Sequence, residues 1–361
     1  MAGVHWSLIR SCYHPTKLWF SRHARKYKDF DINLDCSPAP TGEQADLQTH
    51  SVPRFDGKRS RGHRRISVKR LHARSFWEGA RRLGKFRQVE TIIQFVGFPR
   101  SGHSLIGSLL DAHPEATVSH ELDILGLFRK GLPPQRLLPL IAANADDFTR
   151  NGRWWNGFCY AVLPTAQPHG RPLRVIGDKK GDWAARWSAQ CPDLPARFAE
   201  ATPLRAKWAL VTRHPLDNIA TLTLRQGGHY DRLRIDPPAE GFSAALRNAQ
   251  RDGTIARHAS DAMIADYAAL CAAVEGMRMQ IAERNWTHIE YETFISRPAV
   301  QLGALAEFVG LDADPAWIDA AASVVREGKG RSRDRVEWSD VQLGQISGLI
   351  ERYEFLHVYR E

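Results

Sequence analysis

Cysteine and long apolar stretches are both scarce in this chain of 361 residues. Its five cysteines, Cys12, Cys36, Cys159, Cys191 and Cys271, are scattered, odd in number and form no C-x-x-C, so neither a disulfide framework nor a zinc site is indicated. The expected surroundings are reducing. The longest uncharged stretch, Trp154 to Gly170, is broken by Pro164 and Pro168 and carries Asn156 and Gln167, so no membrane span is expected. Acidic residues are missing from the first 28 positions, which hold six basic ones. Arg10 and Lys17 interrupt any apolar run long enough for a secretory signal, leaving a cytoplasmic protein as the expectation and an organelle transit peptide as the alternative. No internal repeat in the usual range of roughly 20–50 residues is present.

What is present is an ordinary globular composition, 43% hydrophobic and 25% charged, which excludes a wholly disordered or collagen-like chain. The length suits two average domains or one large α/β domain with an appendage. The formal charge of +10 is unevenly placed: residues 1–90 hold 19 Lys+Arg and 8 Asp+Glu, leaving 31 against 32 in the remainder. The excess therefore belongs to the leading quarter. Between Arg54 and Arg87 there are 13 basic and 2 acidic residues, without a nucleic-acid-binding motif or interleaved aromatics, so a solvated arm is expected and no specific nucleic-acid partner. Residues 1–75 are expected to form a flexible basic arm and residues 76–361 one α/β domain, with order beginning near Phe76.

Thr91 to Val96 is a short, β-prone, mostly apolar run ending in Gly97, as in a strand buried on both faces of a parallel sheet. Ser104 to Ala112 places Leu105, Ile106, Leu109 and Leu110 on one helical face, and Pro114 stops it. Further strands are expected at Ala116–His120, Leu173–Gly177, Lys207–Arg213 and Trp286–Tyr291, with amphipathic helices around 214–225, 240–250, 256–284, 297–309 and 313–327. Five short strands alternating with helices predict an α/β domain with a parallel central sheet.

Between the first strand and its helix lies Gly97-Phe98-Pro99-Arg100-Ser101-Gly102-His103-Ser104, with the spacing of G-x-x-x-x-G-K-[ST]. Glycines in such a loop let backbone N–H groups turn inward, and those amides with the helix N-terminus cradle an anion. A nucleotide or small-molecule kinase is one alternative. It requires a phosphate-reaching Lys where this chain has His103, and the strong cation of the loop is Arg100 instead.

Pro99-Arg100-Ser101-Gly102-His103-Ser104 resembles the 5′-phosphosulfate loop, P-[KR]-S-G-[TS]-[TS], of the sulfotransferases that use 3′-phosphoadenosine 5′-phosphosulfate (PAPS). The motif is closest to tyrosylprotein-type and bacterial members, because Leu110-Asp111-Ala112-His113-Pro114 follows at the spacing of the tyrosylprotein-type L-D-A-H-P run. A second signature is Arg213, closing the strand Lys207–Arg213, with Thr221 eight residues later on the next helix. It resembles the family's 3′-phosphate pair, with Thr in place of Ser. The resemblance implies a P-loop nucleotide-kinase-like fold and PAPS as sulfuryl donor. It also implies Pro99, Arg100, Ser101, Gly102, His103, Ser104, Arg213 and Thr221 as donor-binding residues.

Sulfuryl transfer needs a base for the acceptor hydroxyl and fixed cations for the charge building on the departing phosphate. The resemblance puts the base at Glu121, with His120 as the local rival because an imidazole titrates near neutrality. It puts a catalytic Lys at Lys179, with Lys180 as runner-up, and gives Arg100 a catalytic role beside them. Gly328-Lys329-Gly330-Arg331 faintly resembles the R-K-G loop over the 3′-phosphate, adding Lys329 and Gly330 to the candidates. Tyr291-Glu292 followed by Arg297-Pro298 resembles the family's Y-E-x-L-x-x-x-P segment and is expected to serve packing. Trp154, Trp155, Phe158, Tyr160, Trp183 and Trp187 flank the candidate Lys as an acceptor pocket or as core. No metal is expected, and the acceptor, whether glycan, lipid, small alcohol or tyrosyl peptide, is open. A nucleic-acid-binding protein using its basic arm is the non-enzymatic alternative.

Overall fold

The computed structural model of the chain describes residues 68–82, 84–155, 158–162, 172–235, 242–326 and 331–360. Most of the expected arm, and the candidates Lys329 and Gly330, lie outside the described residues.

The helix Val68–Arg81 runs across the expected boundary at residue 75. Its Leu71 and Ser75, four residues apart, face inward, and Ser75 Oγ donates to Arg136 O (2.7 Å) on the helix Pro134–Arg150. Arg74 and Arg82 pair with Asp147 (3.1 Å) and Asp146 (2.6 Å) of that same helix. Part of the basic run is thus matched to an acidic helix face, and order begins before Phe76.

The five expected strands are observed: β1 Thr91–Gly97, β2 Ala116–Ser119, β5 Val175–Asp178, β6 Arg205–Thr212 and β7 Trp286–Glu290. They form one parallel sheet in the order β2-β5-β1-β6-β7. All seven residues of β1 are buried, which explains its mostly apolar run. Alternation divides it between two cores. Ile92 and Val96 pack with Trp208, Leu210 and the helices Gly181–Gln190 and Asp261–Arg278, whereas Ile93 and Phe95 pack with Val118, Val211 and the helices His103–Asp111 and Pro298–Val309. The protein is an α/β domain with helices on both faces of a parallel sheet.

Two expectations shift. The helix around 256–284 contracts to Asp261–Arg278, because residues 257–259 pair their backbone with Glu337: Glu337 N donates to Arg257 O (2.8 Å) and Ala259 N to Glu337 O (2.9 Å). The Trp154–Tyr160 cluster forms a short antiparallel hairpin, β3 Trp154–Trp155 and β4 Phe158–Cys159. Among the described residues no helix is long and apolar enough to cross a membrane. Because all five strands of the large sheet run the same way, the segments after β1, β2, β5 and β6 gather along one edge, the usual ligand edge of an open parallel sheet.

Candidate active site

The loop after β1 is shaped by backbone conformations that side chains resist. Gly102 has φ 104°, and a Cβ there would stand 2.4 Å from the Tyr291 ring, so only glycine fits beneath that ring. Arg100 is also left-handed, at φ 71°. Asn218 fastens the loop from the helix Pro215–Leu224, donating from Nδ2 to Pro99 O (3.0 Å) and to the buried Ser101 Oγ (2.9 Å). His103 begins the helix His103–Asp111, but its ring turns back into the sheet, with Nε2 3.0 Å from Val96 O. Burial holds that imidazole below its ordinary pKa, neutral at physiological pH. Its ring is not placed like a phosphate-reaching lysine; what His103 can offer an anion is its backbone.

Glu121, at φ 63°, lies in the loop after β2. Both of its carboxylate oxygens are engaged: Lys179 Nζ donates to Oε1 and Lys180 Nζ to Oε2. Lys179 also donates to Ser104 Oγ (2.7 Å), so it ties this carboxylate to the loop after β1. Burial alone would raise the Glu121 pKa, but the two ammonium groups overcome it and hold the carboxyl well below the usual range. Burial lowers the Lys179 pKa, while Lys180 is raised because Glu121 outweighs its partial burial. Of the two lysines, Lys179 is the deeper and the one that bridges.

His120 is placed differently from a free base. Its ring stacks on Phe148 (centroids 3.9 Å apart) and meets the edge of Trp155 (4.9 Å). Burial, with Lys179 nearby, keeps it well below its ordinary pKa.

Arg213 Nη1 lies 3.3 Å from Thr221 Oγ1 and 3.5 Å from Arg100 O, so the pair abuts the loop after β1. Its guanidinium stands 5.7 Å from the Tyr291 ring centroid, and that ring therefore touches both candidate anion elements. Thr221 Oγ1 is 2.9 Å from Ser332 Oγ. Arg333 N and Nη2 donate to the two oxygens of Asp217 (both 2.8 Å), docking the segment that follows Lys329 and Gly330 onto this helix.

No family model matches the chain, and no curated protein matches it. Similar solved structures include a sulfotransferase from Mycobacterium avium (11% identity, TM-score 0.43, covering 80% of this chain and 83% of that one). A sulfotransferase from Alicyclobacillus acidocaldarius is 17% identical (TM-score 0.35, covering 74% and 98%). A mouse sulfotransferase, SULT7A1, complexed with PAP is 13% identical (TM-score 0.30, covering 80% and 84%). At that level of likeness the functional reading rests on this chain's own residues.

Several residues that build the site were not among the sequence candidates. Asp178, fully buried at the end of β5, accepts from Ser119 Oγ (2.8 Å), Leu122 N (3.2 Å), Asp123 N (2.9 Å) and Ile124 N (3.2 Å). One carboxylate thereby gathers the residues on both sides of Glu121, and Asn144 Oδ1 accepts from His120 N (2.6 Å) beside it. Asp123 caps the helix Ile124–Arg129 and takes Trp187 Nε1 (3.0 and 3.1 Å); burial raises its pKa to about 6. The signal for Asp178 was an acid at the end of an apolar strand, next to two lysines.

The aromatic wall has its own anchor. Asp111 forms a buried ion pair with Arg153 (2.6 Å) and accepts from Val118 N (2.7 Å), while Arg153 Nε donates to Tyr160 O (3.1 Å). This chain of contacts holds the hairpin, placing the Trp155 ring 5.8 Å from Lys179 Nζ. Burial raises the Tyr160 pKa against the pull of Arg100 and a hydrogen bond with Ser104, so Tyr160 faces the same space. Trp183 and Trp187 pack on each other instead (5.1 Å), and Trp154 is exposed. Arg225 was also missed: its charge, after burial, is the next influence lowering the Arg100 pKa.

Proposed function

We propose that this protein is a sulfotransferase that moves a sulfuryl group from PAPS to a hydroxyl or amine acceptor, with Glu121 as general base. The observation that carries the reading is the Ser104–Lys179–Glu121 bridge, which sets a buried cation between an anion-cradling loop and a carboxylate. The donor set fits a ligand with phosphate at both ends: Arg100, Ser104 and Lys179 at one, Arg213 and Thr221 at the other. When bound, PAPS supplies the activated sulfuryl group. Lys179, in contact with both Ser104 and Glu121, is poised to hold negative charge developing at the loop. Glu121 is ionised at neutral pH and takes the acceptor proton once an ammonium partner shifts toward the donor. Trp155 and Tyr160 would orient the acceptor and exclude water. The kinase reading requires a loop lysine, and the ring at that position is bonded to Val96 O.

Calorimetric titration with adenosine 3′,5′-bisphosphate and with ATP tests the assignment. The bisphosphate should bind more tightly than ATP, and Arg100→Ala and Arg213→Ala should each weaken it at least about tenfold, the loss expected for a charged hydrogen bond. Indifference to both substitutions would overturn the donor site. Glu121→Gln should keep bisphosphate affinity within about threefold and lower sulfuryl transfer by at least roughly 100-fold, the lower range for a general base.

A further inference from the structure

A cavity of about 540 Å³ opens between the helix Phe242–Arg251 and the segment Asp334–Glu337, and it shares no lining residue with the Glu121 cluster. Four arginines line it. Arg257 is taken by Glu337 (2.7 Å), whose backbone is bonded on both sides to residues 257–259, so that wall is fixed. Arg335 is held in place: it donates to Tyr230 Oη (2.6 Å), lies 5.1 Å from the Phe242 ring centroid, and its carbonyl accepts from Gln250 Nε2 (2.8 Å). Arg247 and Arg251 stand one turn apart on one helix face. Among the described residues, none of Arg247, Arg251 and Arg335 is ion-paired with a carboxylate, and the opposing lining acids are Asp334 and the already engaged Glu337. From residue 91 onward acids and bases balance, so three such arginines in one cavity are a local arrangement, not a general excess.

We propose that this cavity is a second oxyanion site, taking a small ligand that carries two or three phosphate, sulfate or carboxylate groups spaced about one helical turn. Guanidinium forks match the planar pairs of oxygens on such groups, and two forks one turn apart select for more than one group per ligand. The site is connected to the Arg213–Thr221 pair through a common wall. Ser332 and Arg333 bind Thr221 and Asp217 on one side, and the next four residues line the cavity on the other. A ligand here would therefore steady the same short segment that closes over Thr221. The proposal does not depend on the sulfotransferase reading.

The test is calorimetry on the full chain at low salt with tripolyphosphate, a disulfated disaccharide and citrate, and with orthophosphate as the single-group control. At least one of the three should bind tenfold or more tightly than orthophosphate, and which one does identifies the source of the groups. Its affinity should fall at least about tenfold in Arg247→Ala/Arg251→Ala, and by less in Arg247→Lys/Arg251→Lys, which keeps the charge and loses the fork. It should be unchanged in Arg100→Ala and in Arg213→Ala. Both side chains are exposed, so the double variants should keep the wild-type melting temperature. Absence of binding by all three probes, binding indifferent to both double variants, or binding lost with Arg100 or Arg213 would each overturn the proposal.

Discussion

Glu121 faces two ammonium groups from consecutive residues, and the difference between them is one of reach. Lys179 is buried and extends to Ser104; Lys180 is more exposed and meets the carboxylate alone. Lys179→Ala should therefore lower sulfuryl transfer about 100-fold, the scale for losing one preorganised charge-stabilising donor, and Lys180→Ala by no more than about tenfold. Single-turnover rates at saturating donor check the difference; equal losses would make the two lysines interchangeable. The resemblance in the sequence ranked Lys179 ahead of Lys180, but the physical difference between them was not legible there, because burial and reach are decided by the β1 and β2 loops on either side. It likewise offered His103 as a loop ligand, and the ring turned inward because Val96 O lies within hydrogen-bond distance. His120 had the right intrinsic pKa for a base and lost it to burial, with Lys179 nearby, beneath the Phe148 ring.

Among elements, the strands were the easiest to read. Apolar runs such as Thr91–Val96 carry their own signature when both faces of a sheet are covered. The loop after β1 was legible for a similar local reason: its glycines and the following helix impose one backbone path. The loop after β2 was not, since its shape comes from Asp178, 54 to 59 positions away in the chain. Asp178→Ala would leave the backbone N–H groups of Leu122, Asp123 and Ile124 without their acceptor, while Ser119 Oγ keeps Gly177 O (3.1 Å). About 3 kcal/mol of stability should be lost, at the cost of one or more buried unpaired donors. Thermal unfolding would measure it, and a loss below about 1 kcal/mol would mean that water replaces the carboxylate. Bisphosphate affinity through Arg213 should persist in the folded fraction, separating this loop from the Arg213–Thr221 element. Asn218 was equally invisible in sequence, although it joins the two candidate phosphate elements.

For the molecule as a whole, protonation pulls in two directions. Burial lowers the pKa values of His103, His120, His214 and His288, with His214 at about 4. Their unfolded rings take a proton near pH 6.5 and their folded rings do so later, so the stability they add is complete above that pH and is lost as pH falls toward 4. Asp123, raised to about 6, acts oppositely: its share is complete below about pH 4 and is lost as pH rises through 6. Urea unfolding should show a net loss on acidification from pH 7 to 4.5. Relative to Asp123→Asn, the wild type should gain about 1–2 kcal/mol over the same change. A difference that does not vary with pH would place the Asp123 titration outside this window. The charge excess of the chain remains a property of its leading quarter, though Arg74 and Arg82 within it are structural partners of the helix Pro134–Arg150. The order β2-β5-β1 gives the Lys179 bridge one more consequence. Strands β1 and β2 are not neighbours, and a side chain from the end of β5 joins the loops that follow them. Amide protons around Ser104 and around Glu121 should then exchange with solvent in a single cooperative opening, and cutting the tie at Lys179 should split it into two.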